Sequence, residues 1–91
     1  MIVGWGAIAH ACYELLHTRG SPVELVGIGI RPGVTIVDPR IERVPRLSSP
    51  EELSAVEPDV VLEAASRSAV KPWGSAALAL GKGFIPCSVG A

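Results

Sequence analysis

The sequence predicts an α/β fold, a parallel sheet with helices on both faces, within a single domain. Three observations predict it. Short apolar segments rich in β-branched residues alternate with amphipathic segments, the pattern of strands joined by crossover helices. The strand-like segments are apolar almost throughout, as strands buried on both faces are, and 48% of the residues are hydrophobic. A turn rich in small residues, 4–9, joins the first apolar segment to the first amphipathic one.

Residues 1–3 lead as a short strand into Gly4. Residues 7–17 place Ile8, Cys12, Leu15 and Leu16 on one helix face. Gly20, Ser21 and Pro22 end that pattern. Residues 23–30, V-E-L-V-G-I-G-I, form the second strand. Arg31-Pro32-Gly33 is a turn, and residues 34–37 make a short strand. Residues 38–47 contain two prolines and charges that pair across the stretch, which reads as a surface loop. Ser49-Pro50-Glu51-Glu52 starts a helix, with serine as N-cap, proline at the first position and carboxylates facing the positive end of the helix dipole. Glu57-Pro58-Asp59 stops it, and residues 59–63, D-V-V-L-E, are a buried strand. Ser66 or Ser68 caps the next helix, which runs to Leu80 and tolerates Pro72 as a first-turn residue. Gly81-Lys82-Gly83 ends that helix, and residues 84–89 form the last strand. Pro86 removes a ladder donor, which assigns this strand to an edge or a bulge.

Composition narrows the function. Eight basic and nine acidic residues give a net charge of −1. No basic surplus is present to neutralise phosphates along a nucleic acid, so charge-driven DNA or RNA binding is excluded. Cys12 and Cys87 are too few for a disulfide framework and read as reduced core residues. The sequence shows neither a basic stretch followed by a long apolar run nor the roughly 20 apolar residues that span a bilayer, which makes no membrane contact and a cytoplasmic location the default.

Gly4-Trp5-Gly6-Ala7-Ile8-Ala9 matches G-x-G-x-x-G/A between a strand and a helix. The first glycine permits the sharp turn, the second lets backbone approach a pyrophosphate, and the small third residue lets the helix pack close to the sheet. Unpaired N–H groups and the helix dipole then favour the anion. The motif reads as a Rossmann-like site for NAD or NADP; the alternative is a tight turn without ligand. Trp5 either covers the cofactor or packs on another domain.

An NAD-specific fold places an acid at the end of the second strand, to bond the ribose 2′-hydroxyl. This chain has Gly29-Ile30-Arg31-Pro32 there, and Glu24 lies at the wrong end. Arg31 suits a 2′-phosphate or an adenine face, so NADP is at least tolerated; the alternative is a solvated turn arginine. Two further strand ends, 63–67 and 88–91, consist mostly of small residues that allow a nicotinamide ribose close to backbone. Ser66 is either a helix cap alone or also a cofactor contact. Glu63 reads more readily as an ordinary strand-end charge than as a buried acid that steadies the site.

Four stretches, G-W-G-A-I-A, G-I-R-P, P-D-V-V-L-E-A-A-S-R-S-A-V and S-V-G-A, together resemble the amino-terminal domain of the L-aspartate dehydrogenase family. The resemblance covers nearly the whole chain, and the last two stretches are its most specific part. It implies a Rossmann domain joined to an α/β catalytic domain, NAD or NADP as cofactor, and oxidative deamination of L-aspartate to iminoaspartate. Carried over by residue, it implies Gly4, Gly6, Ala7 and Ile8 at the phosphates and Arg31 at the adenosine ribose. It implies Ala64, Ala65, Ser66, Ser88 and Gly90 toward the nicotinamide. The chain departs from the family in a short first strand, in Ala9 where glycine is commoner, and in a short final strand, F-I-P-C. The family's catalytic histidine lies in the second domain and has no counterpart here. His10 and His17, on the first helix, have solvated or packing roles, and no metal-ligand spacing is present.

A sheet of two complete βαβαβ halves usually takes more than 91 residues. Residues 1–91 are therefore expected to be the NAD(P)-binding domain alone, a fragment or truncated frame without the catalytic domain. Such a piece is inactive alone, because hydride transfer needs a substrate clamp and a proton-handling group. Two other readings stay open. One is the cofactor domain of a homoserine dehydrogenase or dihydrodipicolinate reductase-like enzyme. The other is a truncated, non-enzymatic paralogue that acts by association, as a homo-oligomer paired through an exposed strand edge. The expected partners are the dinucleotide, the missing catalytic domain and, in the last reading, a second copy.

Overall fold

The structure, a computed structural model, describes residues 1–88. Its strands are β1 (Ile2–Val3), β2 (Ile28–Gly29), β3 (Arg46–Leu47), β4 (Val60–Glu63) and β5 (Gly83–Pro86). Between them lie α1 (Ala7–Thr18), a 3-10 turn (Pro39–Ile41), a second 3-10 turn (Pro50–Glu52) that runs into α2 (Leu53–Val56), and α3 (Arg67–Ala79). All strands pair in parallel, in the order β3-β2-β1-β4-β5. The chain moves outward from β1 to β3, then crosses back to place β4 on the other side of β1. Strand order thus reverses beside β1, which is where α/β folds of this order bind ligands. The expected Rossmann-like α/β fold is present.

Adjacent residues of β1 feed opposite faces of the sheet, the two-residue period of a strand. Val3 joins Met1, Leu47, Leu53, Val61, Trp73 and Ala77 on one side. Ile2 joins Ala9 and Ala64 on the other. Ile28, Ile41, Leu53 and Val61 are fully buried, each contributing about 1.5–3 kcal/mol by leaving water. Ala9 is also fully buried, so the small third residue of the motif does bring α1 onto the sheet. The rest of the expected apolar stripe does not follow: Ile8 and Leu15 are more than half exposed. At about 1.5 Å per residue, a twelve-residue helix overhangs strands only two residues long. Gly20, with φ at +63°, closes α1 by donating to the His17 carbonyl, while Ser21 donates to that of Leu16.

Several elements differ from expectation. The second strand is confined to Ile28–Gly29, the two residues that pair with Ile2 and Val3 of β1 and with Arg46 and Leu47 of β3. Residues 34–37 are not a strand; β3 forms at Arg46–Leu47, inside the stretch expected to be loop. The Arg46 guanidinium stabilises that segment by donating to the carbonyls of Ile41 and Val44. Pro72 is the sixth residue of α3, beyond the first turn, so one interior helix bond is missing. Ser66 stands at the N-cap position, yet its hydroxyl pairs with that of Ser68 at 2.9 Å and caps no backbone N–H. Both cysteines are free, but Cys87 is exposed, because it follows an edge strand with no cover outside it. The expected edge position of Pro86 is found. Cys87 N–H donates toward β4, so the donor that proline lacks points to the open side. The final strand ends at Pro86, short of its expected end: Cys87 and Ser88 form a bend, and Val89 lies outside the described residues. Among the described residues, no helix is long and apolar enough to cross a membrane.

Candidate functional site

The turn from β1 into α1 lies at the C-terminal end of the central strand. Gly4 has φ at +93°, and a Cβ there would stand 2.8 Å from the Ala65 Cβ and 2.9 Å from the Ala64 carbonyl oxygen. The fold itself therefore demands glycine at this position. Gly6 is different. Its backbone is extended, with φ at −103°, and a Cβ would meet nothing within 4 Å. Neither backbone strain nor protein packing requires a glycine there. The first backbone bond of α1 runs from His10 N–H to the Gly6 carbonyl. The N–H groups of Ala7, Ile8 and Ala9 precede it and have no partner within the helix.

These groups border a cleft of about 510 Å³. Val3, Gly4, Trp5 and Gly6 form its centre, residues 29–32 one side, and residues 64–66 the other. Trp73 lies beneath, its ring 3.0 Å from where a Gly29 Cβ would be. Of the residues expected at a cofactor, the cleft gathers Gly4, Gly6, Arg31, Ala64, Ala65 and Ser66. Ala7 and Ile8 open α1 next to it without lining it. Ser88 stands behind the lip with its hydroxyl on Glu63, and Gly90 lies outside the described residues.

Arg31 is exposed and, among the described residues, is the only charged one lining the cleft, and no carboxylate lines it. A nearby acid, Asp38, is turned away. It accepts from the Trp5 indole N–H at 3.0 Å and from Arg40 Nε and Nη2 at 3.0 and 2.6 Å. The Arg40 guanidinium holds the Asp38 carboxyl well below the usual carboxylate range. Arg40 also pairs with Glu14 and lies over the rings of Trp5 and Tyr13, 5.7 and 5.5 Å from their centroids. Trp5 is thereby pinned against α1 and the 3-10 turn (Pro39–Ile41). His10 packs on Trp5 at 4.8 Å and His17 stacks on Tyr13 at 5.7 Å, both in packing roles.

The far lip is organised by Glu63, which is fully buried. Its Oε2 accepts from the N–H groups of Ala65 and Ser66 at 2.8 and 2.9 Å and from the Ser88 hydroxyl at 2.7 Å. Its Oε1 accepts from the N–H groups of Cys87 and Ser88 at 3.2 and 3.0 Å. Burial alone pushes this carboxyl up; the bonds from the Ser88 side chain and from the Ala65, Ser88 and Ser66 backbone outweigh it and hold it below its usual value. Glu63 is thus the buried acid, not the strand-end charge that sequence reasoning favoured. Trp73 was missed altogether. The burial of Glu63 rests on donors far along the chain and left no local signal; Trp73 left none beyond its bulk.

Comparison with known proteins agrees with this geometry. A family model described as "Homoserine dehydrogenase, NAD binding domain" matches residues 4–91. The L-aspartate dehydrogenase of Brucella anthropi is 36% identical over 91 residues, covering 100% of this chain and 34% of that relative. L-aspartate dehydrogenase 1 of Bordetella pertussis is 40% identical over 92 residues, covering 99% of this chain and 33% of the relative. That of Bordetella parapertussis is 39% identical over the same share. The chain spans about a third of the length of the curated relatives it matches. No solved structure matches it.

Proposed function

Because the chain belongs to the family described as homoserine dehydrogenase, NAD binding domain, we propose that it is the dinucleotide-binding domain of an L-aspartate dehydrogenase-like oxidoreductase. In this reading the domain works with a catalytic domain in NAD(P)-dependent oxidative deamination of L-aspartate to iminoaspartate. The observation that carries the binding role is Gly6. It is a glycine that neither packing nor backbone strain demands, and it lines a cleft beside the start of α1, whose first N–H groups have no partner within the helix. Backbone approach to a pyrophosphate accounts for it. The likeness of this chain, over its whole length, to the matching third of three L-aspartate dehydrogenases supports the substrate.

The cofactor, when bound, accepts the hydride; the chain's own residues bind and orient it. Gly4 makes the turn, Gly6, Ala7 and Ile8 present backbone to the phosphates, and Arg31 meets the adenosine ribose. Ala64, Ala65 and Ser66 form the floor for the nicotinamide side, backed by Ser88; Gly90, which the resemblance assigns to the same side, lies outside the described residues. Arg31 at the cleft, with no carboxylate lining it among the described residues, favours a 2′-phosphate over a free 2′-hydroxyl, hence NADP over NAD. With two free thiols and no candidate membrane helix among the described residues, we place the protein in the cytoplasm.

A second reading, the cofactor domain of a homoserine dehydrogenase, is favoured by the wording of the family model. One experiment separates them. The chain is spliced in place of the matching part of the Brucella anthropi enzyme and, separately, of a homoserine dehydrogenase, and reduction of NADP is followed with L-aspartate in the first chimera and with L-homoserine in the second. Turnover with L-aspartate supports the first reading. A folded chimera that binds no dinucleotide overturns the binding role. A first chimera that binds dinucleotide yet does not turn over L-aspartate counts against the aspartate assignment.

A further inference from the structure

We propose that Glu63 is a positioning residue: it fixes the nicotinamide side of the cleft by tying the segment after β4 to the segment after β5, and leaves the adenosine side untouched. The proposal rests on the dinucleotide-binding reading and deepens it.

Its basis is the distribution of the five hydrogen bonds. Two come from the turn between β4 and α3, at Ala65 and Ser66, which line the cleft. Three come from Cys87 and Ser88, beyond the end of β5. None comes from the Gly4–Gly6 turn or from residues 29–32. The two tied segments leave adjacent strands, and β5 is an edge strand with no neighbour on its other side among the described residues. Among the described residues, the last backbone bond of the ladder between them is Cys87 N–H on the Glu63 carbonyl, 2.9 Å. Past that point the carboxylate continues the pairing through a side chain. A fully buried acid needs such partners, and each partner is a donor, so only an ionised acceptor with two oxygens satisfies all five. Ser88 takes a support role here: its hydroxyl is committed to Oε2 and holds the lip from behind.

The substitution Glu63→Gln tests this. The amide keeps the size but turns one oxygen into a donor facing donors, so one of the two segments is released. Binding is measured for NADPH and for 2′-phospho-ADP-ribose, which lacks the nicotinamide. The expected result is a loss of about tenfold or more for NADPH, with the fragment changed by less than about twofold. Equal loss for both, or loss for neither, overturns the proposal. If Glu63→Gln does not fold, Ser88→Ala carries the same test. It removes one donor and leaves the buried charge with four; a smaller loss, again confined to NADPH, is expected, and an equal change in both ligands overturns the proposal. The underlying cofactor reading fails separately: in that case the unaltered protein binds neither NADPH nor the fragment.

Discussion

Gly4 and Ala65 approach each other so closely across β1 and β4 that a methyl group on Gly4 would stand 2.8 Å from the Ala65 Cβ. The nearest obstacles are another Cβ, a Cα and a carbonyl oxygen, none of which is a flexible side-chain end. Gly4→Ala adds this overlap to a positive φ. The expected loss is about 2–4 kcal/mol of stability, read as a lowered urea midpoint. An unchanged midpoint would show that the two strands separate freely there.

Gly74 poses a similar question inside α3. Its Cβ would stand 2.8 Å from Phe84 Cε2 on β5. Replacing a helical glycine by alanine gains about 1 kcal/mol of propensity, while overpacking costs about 1–3 kcal/mol. Gly74→Ala alone is therefore expected to be neutral to destabilising. Combined with Phe84→Leu, which clears the ring edge, it is expected to be less harmful than the sum of the two single changes. Strict additivity in thermal melts would contradict the contact.

Asp38 and Glu63 both have carboxyls held below their usual range in the folded protein. The unfolded chain therefore takes up their protons first as pH falls. The stability they supply is complete above the unfolded carboxylate range, near pH 4, and is lost as pH drops through the folded values. Urea midpoints measured from neutral to acid pH should fall, and Asp38→Asn should flatten the acid branch. An acid branch of the same slope in the variant would remove Asp38 from the account.

Element order, parallel pairing, the motif turn and the edge position of Pro86 were all legible in the sequence, because each depends on local spacing or on a single residue's chemistry. What was not legible depends on partners distant in sequence. The second strand looked eight residues long from its composition, but β1 offers it a two-residue ladder. Residues 34–37 had strand composition and no place in the sheet, whereas Arg46–Leu47 became β3 because Arg46 ties its own loop together through backbone carbonyls. At the site, Gly6 and Arg31 could be read from spacing. The burial of Glu63 could not, since three of its five donors come from 24 or 25 residues further along the chain.

Among the described residues, Arg31 is the single charge lining the cleft. Arg31→Ala should weaken NADPH by about tenfold or more, the range of a charge-assisted hydrogen bond, and NADH by less than about twofold. Isothermal titration with both cofactors checks it. Equal weakening would make Arg31 a general contact and not the selector of the 2′-phosphate.

Gly6→Ala reads the central claim most directly. Beyond its chain neighbours the added methyl meets no protein atom within 4 Å and the backbone is extended, so the thermal midpoint should fall by no more than about 5 °C, the cost of alanine for glycine at an N-cap, while NADPH affinity falls about tenfold or more. A folded Gly6→Ala protein that binds NADPH as tightly as the parent would contradict the account, because the glycine would then serve neither the chain nor the pyrophosphate.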